Sequence, residues 1–446
     1  MIRQAFYIML AVLIASGPSS AEKTVSLKEA ISLALRQNPG LKALKSSTMA
    51  RKEDVGSARS HLLPKVYLEE RYMRTDNPTL SFSSKLNQER FAASDFAIAR
   101  LNDPASIGDW QTSLSFEQPI FSREANIGYR MARTESAAAF IDMRRMEEKV
   151  AMTVIESFLN VSSAEDMVRA ADKGIEDARE HKRVADVLLE AGAGLYSDTL
   201  RADVALKEAE ERRVRAQKAL KVSKRALGLA LGLDEPVGIR GEGIDFEPFE
   251  LPRYVDAASE RSDAMALELR VENAGNSLDL AEAAYLPVLG VGGSYQLNDH
   301  RSVLGDEGDS YTVMAFLRWT VFEGNLRSHE LAKARYKLKE AEERLDGLRK
   351  KVSFQVHEAY FSMQEARASL ELARSRAALA EEAARLVKVR YENSLAKIVD
   401  LLGAQASLDA ARADVVGKRN SYLMSIAELS YQSGLIMQDF VEQAAE

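Results

Sequence analysis

The sequence predicts a mainly α-helical chain with a transmembrane β-barrel portion: long antiparallel coiled-coil helices forming an α-barrel, plus four β-strands per chain. Three observations carry this fold class. Two heptad seams recur in register 202 residues apart. At two places the helical period gives way to strict alternation, in segments of strand length with aromatic residues near their ends. Beyond the first 21 residues, no stretch reaches the roughly 18 consecutive apolar residues that a membrane helix needs.

The N-terminal segment stands apart from the rest. Arg3 gives a positive start, Ala5 to Ala15 an apolar stretch too short to span a bilayer, and Ala21 ends a small-residue cleavage site. Residues 1–21 therefore read as a secretory signal peptide. The chain has no cysteine, which excludes disulfides and zinc sites of thiolate type. A formal charge of -7 and a pI near 5.6 offer no basic surface for nucleic acid.

The remainder reads as two repeats, 22–235 and 236–446. In the first, Ser26 and Glu29 form a capping-box pattern that opens a helix ending before Pro64. Pro287 follows a helix in the second repeat in the same way. After each proline come two predicted strands, at about 65–73 and 109–118, then at about 288–297 and 311–320. Trp110, Thr112, Leu114 and Phe116 alternate with Gln111, Ser113, Ser115 and Glu117. Leu289, Val291 and Tyr295 alternate with Gly290, Gly292 and Ser294, and Tyr311, Val313, Ala315, Leu317 and Trp319 share one face. About nine residues is the length that crosses a bilayer at a tilt. Tyr72, Trp110, Tyr295 and Tyr311 are expected at one membrane interface, with Phe116 and Trp319 at the other, as in the girdles of an outer-membrane barrel. Four strands cannot close a barrel, because eight is about the minimum; three chains supplying twelve could.

Between the first pair of strands lies a surplus. Pro64 and Phe121 are 57 residues apart, but Pro287 and Phe322 only 35. Such a connection is too long for an idle turn, and Phe82, Leu86, Phe91 and Phe96 suggest that it folds over the mouth. Ser84 within it is expected to be reachable from outside the cell.

Each strand pair leads into a very long helix. Val154, Val161, Val168 and Ile175 form one seam of the first, and Ser157, Ala164, Ala171, Ala178 and Ala185 the other. Their counterparts are Val356, Met363, Leu370 and Ala377, then Ala359, Ala366, Ala373, Ala380 and Val387. A seven-residue apolar repeat makes helices supercoil, and alanine lets their backbones approach. No proline interrupts the stretch from Arg123 to Glu190, which at ~1.5 Å per residue would run about 100 Å. Each column turns at a tip, at about 191–197 and 392–397. Gly192 and Gly194 can end the first helix, with Ser197 or Asp198 able to cap the return helix, and Asn393 and Ser394 lie in the second turn, ahead of the matching phrase that holds Asp400.

No enzyme signature emerges. His61, His181, His300, His329 and His357 include no pair at helical ligand spacing, so each reads as a surface residue, and no metal or cofactor is expected. An alternative to a channel is a periplasmic coiled-coil adaptor or structural protein without a barrel. Adaptors usually have one hairpin and soluble β-domains, and the two amphipathic strand pairs speak against that reading.

Taken together, the Leu-Leu-Pro-Lys and Tyr-Leu-Pro-Val phrases at Pro64 and Pro287, the strand-to-helix turns after Gln118 and Trp319, and the two tip phrases resemble the outer-membrane efflux protein family, that of the TolC channel-tunnel. The likeness covers nearly the whole chain, in both halves. It implies a homotrimer in outer-membrane lipid of a Gram-negative bacterium, with its helical part in the periplasm. It implies further a passive exit duct for tripartite efflux or type I secretion, docked on a periplasmic adaptor joined to an inner-membrane pump. Docking would use Gly192, Gly194, Leu195, Ser394 and Leu395 at the tips. Tyr391 and Asp400 match the family's periplasmic gate, although Gly403 stands where a second acidic residue is expected. Ala396, beside Lys397, occupies the place of a linking arginine.

Overall fold

The computed structural model describes residues 23–241 and 248–442; the segment 1–21 lies outside them. In chain order the elements are β1 (Thr24–Val25), α1 (Leu27–Gln37), α2 (Pro39–Ser60), β2 (Lys65–Thr75), α3 (Pro78–Asn87), a 3-10 turn (Ala93–Phe96), α4 (Ile98–Asn102), β3 (Ile107–Phe121), α5 (Arg123–Glu190) and α6 (Tyr196–Ala230). The second half supplies β4 (Gly238–Ile239), α7 (Leu251–Ala258), α8 (Ser262–Ala283), β5 (Val288–Asp299), β6 (Gly308–Arg318), α9 (Leu326–Glu392), α10 (Ile398–Ser433) and a π-helical turn (Gln438–Glu442).

The capping box forms as read. Ser26 Oγ accepts from the Glu29 amide at 3.3 Å, and Glu29 Oε2 accepts from the Ser26 amide at 2.9 Å. It opens only α1, however. Asn38, held at ψ 121° ahead of Pro39, ends that helix, because proline pushes its predecessor out of the helical region. The helix before Pro64 is therefore a second one.

The duplication is reproduced in the helix ends. Glu190 and Glu392 close the outgoing helices, Tyr196 and Ile398 open the returning ones, and each pair is 202 residues apart. α5 has 68 residues and α9 has 67.

The described residues fall into two compact units, each drawing on both halves of the chain. One takes residues up to Ser46, Ile141–Met265 and Gly347 onward; the other takes Ser47–Phe140 and Ala266–Asp346. In the first unit the predicted seams are the core. Val154, Val161, Val356 and Ala359 are buried together with Ile31, Phe158, Leu227, Tyr254, Ile426 and Leu429 in one apolar cluster. Further along, Ile175 and Ala178 pack on Leu206 and Ala209. The charged faces of the same helices stay wet and carry three- and four-residue ion pairs such as Arg183–Glu180 and Arg385–Glu382.

The second unit holds a four-stranded antiparallel sheet in the order β2-β3-β5-β6. Register fixes its two faces. Val66, Leu68, Leu114, Phe116, Val291, Tyr295, Val313 and Leu317 share one, and Arg71, Gln111, Ser113, Ser115, Ser294, Gln296, Asn298 and Thr312 share the other. The register slips only between Pro119 and Phe121, where proline has no amide to donate. β2 and β6 each have one unpaired edge. Among the described residues no helix is long and apolar enough to cross a membrane.

The strands run past the predicted bounds at five ends and fall short at one. Trp319 lies just beyond β6 instead of inside it, because hydrogen bonding to β5 stops at Arg318 opposite Val288. The long first connection is folded: α3, the 3-10 turn and α4 surround Phe91, whose ring lies 4.7 Å from Phe82 and 5.1 Å from Phe96, both edge-on. Ser84 proves to be only 2% exposed, so it cannot serve as an accessible probe site.

Candidate functional site

The residues singled out above lie in two places, the hairpin tips and the sheet. At the first tip the carbonyl of Leu188 accepts the amides of Ala193 and Gly194 at 2.9 and 2.8 Å, and Gly192 donates to Leu189 at 2.9 Å. Gly192 takes φ +74°, the left-handed conformation that ends a helix cheaply only at glycine. The equivalent position in the second tip is Ser394, which adopts φ 57° despite having a side chain. There Ser394 donates to Tyr391 at 2.9 Å and Leu395 to Arg390 at 2.7 Å. One backbone solution thus serves both tips, with glycine in one and serine in the other.

What these turns display is apolar. Leu195 is 66% exposed and Leu395 69%, and Tyr196, Leu200, Val204 and Val399 are exposed beside them. Leucines this open on small-residue turns form an apolar surface that no other described residue covers.

Tyr391 is 5% exposed. It is buried with Val184, Ile398 and Leu401, where it joins the second tip to α5. Burial, and next the nearby Asp198, push its phenol pKa upward. Asp400 stays at the surface. Its Oδ2 accepts from the Lys397 amide at 3.1 Å, so it caps the first turn of α10. A cap and a gate charge are compatible, since the carboxylate remains open to solvent on its other side. Gly403 and Ala396 add no polar side chain there.

Above the tips the chain holds a polar layer that was not expected from the sequence. His181 is 4% exposed, not a surface residue, and its Nε2 meets Gln405 Oε1 at 3.0 Å. Gln405 donates to Asp177 at 3.1 Å and Asp409 at 2.9 Å, while Arg412 and Arg212 bond those carboxylates at 2.7 and 3.0 Å. The layer ties α5, α6 and α10 at one level. Its signal in the sequence was weak: polar residues at 177, 181, 405 and 409 sit beside the seam positions, not on them.

In the sheet, Tyr72 and Trp110 are cross-strand neighbours with ring centroids 4.5 Å apart. Tyr295 and Tyr311 form a second such pair. The two pairs are not on one rung, because Trp110 lies opposite Asp299, four residues beyond Tyr295. Trp319 sits at the other end, donating from Nε1 to the Tyr285 carbonyl at 3.1 Å.

The β5–β6 connection holds one convergent cluster among the described residues, Asp299, His300 and Glu307, whose ligand-type atoms lie within 4.8 Å of one another. All three are already engaged in holding the hairpin. Asp299 Oδ1 accepts the amides of Arg301 and Ser302 at 2.6 and 2.9 Å, and Glu307 accepts from the His300 amide at 3.1 Å.

Known proteins share this architecture. The family described as outer membrane efflux protein matches over residues 30–233 and again over 254–434. Protein CyaE of Bordetella pertussis is 26% identical over 409 residues, covering 89% of this chain and 81% of that one. The alkaline protease secretion protein AprF of Pseudomonas aeruginosa is 22% identical over 349 residues, covering 75% and 71%. The solved structure of CusC superposes with a TM-score of 0.80 at 14% identity, covering 94% of this chain and 95% of that one. A fold of four strands and two long helical hairpins, matched twice along its length, settles the affiliation: the chain belongs to the outer membrane efflux protein family.

Proposed function

We propose that three copies of the chain close into a twelve-stranded barrel and act as a passive exit duct, docked through the helical tips on a periplasmic adaptor coupled to an inner-membrane pump. The family belongs to the outer membrane, and there the apolar face of the sheet would meet lipid while its polar face lines the bore. The observation that carries the reading is the sheet itself. It has one apolar and one polar face and two open edges, and a lone open sheet of this kind is an aggregation hazard unless its edges are paired.

A second surface agrees. Phe354, Phe361, Leu372, Leu379 and Leu386 are exposed along α9, and Phe354 and Phe361, like Leu372, Leu379 and Leu386, are spaced by heptads. A seam of large apolar side chains left exposed among the described residues fits a neighbouring helix from another copy. We read each half of the sequence as one repeat, so that six similar units surround the axis. The likeness to a protein named for alkaline protease secretion favours a protein cargo and type I secretion.

Nothing in the site points to chemistry on a substrate, and transport through the duct needs none. Chemical cross-linking of detergent-extracted protein should give a threefold species. A stable, soluble monomer would end the reading.

A further inference from the structure

The folded connection between β2 and β3 has a defined side, and the register of the sheet shows which. Gln111 and Asn298 are opposite one another on the polar face, and Asp109, two residues before Gln111, belongs to that face too. Gln88, the residue following α3, is 1% exposed and donates from Nε2 to Asp109 Oδ1 at 2.7 Å and to the Gly108 carbonyl at 3.0 Å. Asn298 Nδ2 completes the carboxylate with bonds of 3.1 and 3.0 Å to its two oxygens, and Gln296 Nε2 donates to Asn298 Oδ1 at 2.7 Å. Asp109 is 3% exposed and Asn298 1%. A carboxylate so buried is costly unless its oxygens are bonded, and Gln88 supplies one of those bonds.

A separate contact agrees. Gly308 lies opposite Asn298 on the same rung. A Cβ built on it, pointing to that polar face, would come 2.1 Å from the carbonyl oxygen of Asn87. The backbone of the connection therefore rests on the polar side of β6 as well as of β3. The connection is also internally packed: besides its three edge-on phenylalanines it holds the ion pair Lys85–Asp95 at 2.9 Å.

We infer that residues 76–106 fold into the bore and set its width at the outer mouth, with Gln88, Asp109 and Asn298 as the latch that holds them there. This rests on the sheet being a barrel wall with its polar face inward. Residues on that segment then determine which cargo can leave by its size, although no step of export takes place on them.

The chain has no cysteine, so one introduced at Ser115, on the polar face of β3, reports access to the bore alone. Intact cells are exposed to a small impermeant maleimide or to one carried on a long polyethylene glycol chain. With the wild-type connection the small reagent labels and the bulky one is excluded. In Gln88→Ala or Gly308→Ala, or with 79–104 replaced by a short Gly-Ser turn, bulky labelling should rise about tenfold, as expected when a steric constriction is lost. Cross-linked trimers confirm that each variant is assembled. Equal bulky labelling with the wild-type and shortened connections overturns the constriction. Exclusion lost only on shortening, and kept in both point variants, overturns the latch. If even the small reagent fails to label Ser115→Cys with the shortened connection, the polar face does not line a bore and the barrel reading itself falls.

Discussion

Replacing Leu195 and Leu395 together by glutamate tests the tips as the docking surface. Both leucines are about two-thirds exposed, at 66% and 69%. Burying a whole leucine side chain is worth about 1.5–3 kcal/mol, so the part still open represents about 1–2 kcal/mol for each residue if a partner covers it. The two substitutions remove about 2–4 kcal/mol per chain, roughly 30- to 800-fold in a binding constant, before any cost of burying the new charge. Folding should be nearly indifferent. Exposed substitutions away from special features stay within about 0.5 kcal/mol, and a carboxylate near a helix N-terminus meets a favourable dipole. The assay is co-purification of the periplasmic adaptor with detergent-extracted protein, beside the yield of cross-linked trimer from the same membranes. The double variant should lose the adaptor and keep the trimer. Retention of the adaptor at wild-type levels would refute the reasoning and move docking to the sides of the helices.

Two other predictions concern buried and exposed carboxylates. Asp400→Asn keeps an oxygen for the Lys397 amide and removes the charge, whereas Asp400→Ala loses both. If the carboxylate lines the lumen, planar-bilayer recordings should show reduced cation selectivity in both variants, with only the alanine costing about 0.5–1 kcal/mol of helix-end stability. Unchanged selectivity in Asp400→Asn leaves the cap as its whole role. Asp439, 5% exposed, has one oxygen bonded to Ser430 at 2.6 Å and the other without a partner among the described residues, and burial pushes its pKa upward. An acid with a raised folded-state pKa binds its proton more tightly when folded. Stability is therefore lost as pH rises from the unfolded value through the folded one. Asp439→Asn should flatten that decline in the thermal midpoint as pH rises above the unfolded carboxylate value, and an unchanged slope would assign it to other groups.

Much of the fold was legible because its signals are local or periodic. The seams at Val154 and Val356 repeat every seven residues, and their burial follows from that spacing alone. The alternation around Trp110 and Tyr311 likewise fixed which side chains share a face. What escaped were features that depend on pairs far apart in sequence. The alternation carries on through Trp319 and Val321, but the strand ends where β5 has no more amides to offer. His181 looked like a solvated histidine, because its partner Gln405 is 224 residues away. The inward fold of the first connection depends on Gln88 finding Asp109 and Asn298, and neither is marked by any motif. At the tips, Gly192 was legible as a helix breaker and Ser394 as a turn residue, but the left-handed backbone of Ser394 was not, because serine has no particular preference for it.

The unpaired margins of β2 and β6 have a consequence for the life of the chain before it works. A newly exported copy, alone in an aqueous compartment, would carry two raw hydrogen-bonding edges, an oily sheet face and the uncovered phenylalanines and leucines of α9. Each of these invites wrong partners as readily as right ones. On the proposed trimer, such a chain cannot wait as a finished monomer, because its sheet stays uncovered until two further copies and a bilayer are at hand. Folding, insertion and assembly then become a single event, and the chain's abundance is governed by how quickly that event follows synthesis.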